Sequence, residues 1–179
     1  MKTKFLLIIL FIVCTISGNC QQSPKEYFEI SVDDLIAKAD LYENKNVEVI
    51  GLIVHMCGVD GKKMKLKSPS GAILKIVPND SEESFDPAFK KQLVCVQGVV
   101  EITRIEKAYV DKMEKEGTLL CHIDHTPCKD KPWVNNKIES GEDIEIVKKD
   151  IANLREQLQE KDYINFVTIR SVKVKLLDE

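Results

Sequence analysis

The sequence predicts an α+β chain, mainly β with helices, whose five strands form a small barrel with a helical insertion before the last strand. Three observations point that way. Four runs at 47–57, 63–67, 72–77 and 93–102 are rich in apolar and β-branched residues and are separated by turns or short connections. The first is long and carries Gly51 in its interior, as a strand does when it must curl to pair on both sides of a barrel. An amphipathic helical stretch at 143–160 and a fifth strand-like run at 165–176 complete the order. Composition fits one domain with one main core: of 179 residues, 44% are hydrophobic and 31% charged, with eight Gly and six Pro.

Residues 1–19 read as an export signal. Lys2 and Lys4 precede a nearly unbroken apolar run from Phe5 to Ile16, and Ser17, Gly18 and Asn19 lead to Cys20. That run of twelve is shorter than the roughly 20 residues a membrane-spanning helix needs. Cys20, followed by the polar Gln21, Gln22 and Ser23, fits a lipidation site that would anchor the chain to a membrane. Ordinary cleavage after Ser17 or Gly18 is the alternative. Either route is expected to take the protein out of the cytoplasm, and the lipid anchor to hold it in the cell envelope, on the periplasmic side or at the cell surface. Residues 20–30 are expected to be a tether and 31–179 the folded domain, with the insertion at about 103–162.

Ser31 is an N-cap candidate with Asp34 three residues on, and Val32, Leu35, Ile36 and Ala39 recur at helical spacing, so a helix should run to about 42–44. The strands at 47–57, 63–67 and 72–77 follow, joined by turns at 58–61 and 68–71. In 81–91, acidic residues come early and lysines late, with Phe85 and Phe89 four apart, which suits a short helix. After the strand at 93–102, Ile105, Tyr109 and Met113 predict a helix over 103–116, and 117–142 has no period. Ile144, Val147, Ile151, Leu154 and Leu158 then mark the clearest amphipathic helix, expected to cover the barrel and bury Cys95 beneath it. The last strand is expected to break register near Arg170 and Ser171.

Helix, three strands, short helix, fourth strand, insertion and fifth strand is the order of an OB-fold barrel. The stretch from Gly51 to Leu66, with His55-x-Cys57 closing one strand and Gly61-Lys62-Lys63 opening the next, resembles Gram-negative envelope lipoproteins with an OB fold. Members of that group commonly carry a further histidine soon after the cysteine, where this chain has Gly58, Val59 and Asp60. The resemblance implies a fold and an address; it implies no activity.

Chemistry concentrates in two motifs. His55 and Cys57 share one face of a strand, and Cys121, His122, His125 and Cys128 form C-H-x-x-H-x-x-C in the insertion. Thiolate and imidazole donors suit Zn or Cu, and these six residues are the candidate metal site. Two readings compete with it: a disulfide joining Cys121 to Cys128, or Cys57 to either of them, and free thiols. Cys95, between Val94 and Val96, reads as a small buried apolar residue.

Lys63, Lys65 and Lys67, with Lys62 and Lys75, form a basic strip that could meet an envelope protein or a polyanion. Nucleic acid is disfavoured. Those strands have no aromatic residue for base stacking, and without Lys2 and Lys4 the 26 basic residues become 24 against 29 acidic ones. No hydrolase, P-loop or dinucleotide motif is present. The expected function is therefore a non-catalytic binding module carrying a soft metal, or else a protein-binding module stapled by disulfides.

Overall fold

The computed structural model describes residues 26–57, 60–80 and 83–177. The expected signal at 1–19 and the lipidation residue Cys20 lie outside the described residues. Five strands close a mixed barrel: β2 (Asn46–Met56), β3 (Met64–Lys67), β4 (Ile73–Pro78), β5 (Leu93–Glu106) and β6 (Tyr163–Leu176). Their order is β2-β3-β4-β6-β5, and pairing of β2 with β5 completes the ring. Every neighbouring pair is antiparallel except β4–β6. This is the expected OB-like architecture, with one strand outside the ring. That strand, β1 (Phe28–Glu29), runs parallel to β2 and occupies the end of the expected tether.

Alternation of inward and outward residues builds the barrel interior. Val47, Val49, Ile53, Met64, Leu66, Leu74, Ile76, Val94, Val96, Val100 and Ile169 are all buried in one cluster. Gly51 lies where β2 pairs with β5 on one side and approaches β3 on the other, and a Cβ there would meet Leu66 Cγ at 2.8 Å. The bulge that bends β2 follows at Ile53–His55. A second register shift sets Gly98 opposite Ser171 and skips Val172, beside the expected break. A Cβ on Gly98 would collide with the Arg170 carbonyl and Ile169.

The helix expected over 31–44 is two pieces, α1 (Val32–Ala37) and α2 (Ala39–Tyr42), interrupted at Lys38. Ser31 caps the first through a hydrogen bond accepted from Asp34 N. Among the described residues of the segment expected to be the short helix, only a 3-10 turn, Pro87–Phe89, appears.

Strand β5 continues four residues beyond the expected end before α3 (Lys107–Lys115) begins. Ile105, grouped by spacing with Tyr109 and Met113, is a strand residue paired with Ile164. The exposed Arg104 is held on that extension by Asp40 and Glu43, at 3.1 Å from each. Residues 131–140, expected to be irregular, form α4 (Lys131–Ser140), capped by Asp130 and ended by Gly141 at φ 70°. Helix α5 (Asp143–Gln157) matches its expected period.

The extended β5 and β6 support a second core. Ile105, Val110, Met113, Leu119, Leu120, Val147, Ile151 and Leu154 bury one another there. Cys95 is buried as expected, but not beneath the α5 stripe. It faces away from Val94 and Val96, between Ile50 and Lys175 in the sheet and near Glu48.

Candidate functional site

His55, Lys65 and Lys75 stand side by side across β2, β3 and β4. Neighbours Met64, Leu66, Leu74 and Ile76 point into the barrel, so this row faces outward. The loop that joins α3 to α4 folds back over it.

That loop is a tight hairpin. Leu120 bridges to Pro127, Cys121 N donates to Thr126 O at 2.7 Å, and Cys128 N donates to Leu119 O at 2.9 Å. His125, at φ 54°, forms the tip, and its N–H donates to Cys121 O at 2.8 Å. The register puts Thr126 opposite Cys121 and Leu119 opposite Cys128, so the two thiols are diagonal, not facing.

Asp124 fixes the hairpin to the barrel. Its carboxylate, 5% exposed, receives Lys63 Nζ and Lys75 Nζ, each at 2.9 Å, and the Thr126 hydroxyl at 2.7 Å. Burial alone would raise its pKa, but the bonds from Lys63, Thr126 and Lys75 outweigh that and hold the carboxyl well below the usual range. Tyr109 adds a second tie, donating to His125 O at 2.7 Å. The sequence presents Asp124 only as a carboxylate beside two histidines; its partners lie far away in the chain.

Closure of the loop brings the two motifs together. His55 Nε2 and His122 Nε2 lie 3.1 Å apart, with the rings edge to face. Burial, reinforced by the Lys65 charge, lowers the pKa of both imidazoles, so both are neutral at pH 7 and one can donate to the other. Cys57, Cys121 and Cys128 line the same cavity, of about 370 Å³. Leu120, Ile123, Trp133 and Ile146 supply its apolar wall. Five of the six candidate ligands are thus gathered around one space. The sixth, His125, lies outside that cavity and packs on Phe166 at 4.7 Å between ring centroids.

Cys57, Cys95, Cys121 and Cys128 are free thiols. Burial raises the Cys121 pKa, so that thiol is protonated at neutral pH. As placed, no three His, Cys, Asp or Glu side chains among the described residues are grouped to hold a metal ion. The residues around the cavity have donor types that suit a soft ion, but as they stand they are not close enough together to ligate one.

The basic strip is divided. Lys63 and Lys75 are committed to Asp124, Lys65 is half-buried with its pKa lowered by burial, and Lys67 is exposed. Asp150 and Trp133 also line the cavity and were not evident in the sequence. Burial raises the Asp150 pKa. Nothing local marks Asp150 in a charged helix, whereas Trp133 was recoverable from the Asp130, Pro132 and Gly141 punctuation of α4.

The chain matches no protein-family model and no curated protein.

Proposed function

We propose that this chain is an exported, lipid-anchored envelope module that binds one soft metal ion, Zn(II) or Cu(I), between its barrel and the insertion hairpin. The observation that carries the reading is the 3.1 Å approach of His55 Nε2 to His122 Nε2 beside a cavity whose lining residues include three free cysteines. Two imidazole nitrogens on one tetrahedral ion, each at about 2.0–2.1 Å, stand about 3.3 Å apart. The observed separation is close to that, and the rings would turn so that both lone pairs meet at the ion in place of the hydrogen bond between them. Cys57 and Cys121, rotated into the cavity as thiolates, are the best candidates to complete the set, with Cys128 as the further donor. Uptake would release their protons.

The ion would supply an additional bond between barrel and hairpin. His125 is left out of this ligand set because it packs on Phe166. The envelope address rests on the export-like N-terminus and on the resemblance around His55-x-Cys57.

Titration with Co(II) as a spectroscopic substitute tests the binding. The expected result is saturation at one ion per chain with thiolate-to-metal bands that weaken in Cys57→Ser or Cys121→Ser and persist in His125→Ala. Saturable bands unchanged in both serine variants would reject this ligand set.

A further inference from the structure

A second cavity, of about 270 Å³, shares His122 and Ile123 with the cysteine-lined one but otherwise has its own walls. Ile73, Ile164, Phe166 and Val167 give it an apolar side, while Lys65 and Asn165 give it polar groups. The acid in this lining, Asp124, is already engaged by Lys63 and Lys75. Lys65, between His55 and Lys75 in the cross-strand row, has no carboxylate at ion-pair distance among the described residues. Asn165 Nδ2 donates to Asp40 at 3.3 Å, yet its Oδ1 is buried with no hydrogen-bond partner. The cavity thus combines an unmatched cation and an apolar wall, at a size just below the ~300 Å³ where pockets for drug-sized ligands begin.

We propose that this cavity binds a small organic acid: a carboxylate held by Lys65, with a short apolar chain against Ile73, Ile164 and Phe166. The site stands apart from the metal reading, because Lys65 is not among its proposed ligands and no ion is required.

The test is a titration of the mature protein in chelator with sodium hexanoate, hexan-1-ol and hexylammonium chloride, followed by amide NMR shifts at residues 65, 73 and 166. Hexanoate is expected to saturate with a Kd on the order of 1 mM, with hexanol at least tenfold weaker and no binding of hexylammonium. Lys65→Met should weaken hexanoate at least tenfold, Lys65→Arg should retain it, and Lys67→Met should leave it unchanged. Non-saturating shifts, equal affinity for hexanol, or full binding in a folded Lys65→Met variant would overturn the proposal. None of these results depends on whether the cysteine-lined cavity takes up metal.

Discussion

Asp124→Asn removes one buried charge and leaves two lysines without it. The carboxylate is 5% exposed and holds Lys63 and Lys75 at 2.9 Å, with those side chains 19% and 18% exposed. Breaking a fully buried pair costs about 3–5 kcal/mol, and these lysines retain some access to water, so we expect a loss of about 2–3 kcal/mol. The loss should be local. Asp124 ties the hairpin to the outside of the barrel and takes no part in the barrel interior. The open hairpin then becomes about 30- to 150-fold more populated, at 1.4 kcal/mol per decade. Cys121, which is 8% exposed, reports that opening through its alkylation rate, and the equally buried Cys95, on another face of the barrel, serves as the internal control. Cys121 should accelerate by that factor while Cys95 does not. An unchanged Cys121 rate, or equal acceleration of both, would refute the local-latch reasoning. Because the Asp124 pKa is depressed in the folded protein, its contribution is complete above the unfolded value of about 3.9 and is lost as pH falls through the lower folded value.

Gly98→Ala should lower the urea unfolding free energy by about 1–3 kcal/mol, because its Cβ would strike the Arg170 backbone; an unchanged midpoint would contradict the β5–β6 register. Leu154→Ala, at a fully buried position of the second core, should cost about 2–5 kcal/mol in the same assay, and a neutral result would place α5 elsewhere. Burial depresses the pKa of His55, His122 and His125, so their joint contribution is complete above about pH 6.5 and is lost as pH falls through their folded values. Replacing all three by Gln should flatten that part of the stability profile of the metal-free protein. Cys20→Ala should release the protein from membranes while leaving export intact; unchanged fractionation would reject the lipid anchor.

The sequence was most informative where the period was set by a continuous apolar face. Val47, Val49 and Ile53 mark β2, and Val147, Ile151 and Leu154 mark α5, because each face is buried along its length. It misled where two periods overlapped. Ile105 sits at helical spacing from Tyr109, yet pairing with Ile164 keeps it in the strand, and that partner lies across the whole insertion. Helix α4 was hidden because Pro132 and polar neighbours read as loop, although Asp130 and Gly141 were in place as its caps. At the site, the sequence could group donors within each motif but could not place one motif against the other. That meeting depends on Asp124 reaching Lys63 and Lys75 on the barrel. His125 shows the limit of spacing alone: its left-handed backbone puts it on Phe166 instead of in the cysteine-lined cavity.

Metal analysis of the natively purified mature protein, paired with a thiol count after denaturation in chelator, distinguishes a metal-bound site from a disulfide. A bound metal gives about one Zn or Cu ion per chain, with Cys57, Cys95, Cys121 and Cys128 all recovered as thiols once the ion is removed. Protein that contains no such metal and lacks two of those thiols would contradict it in favour of a structural disulfide.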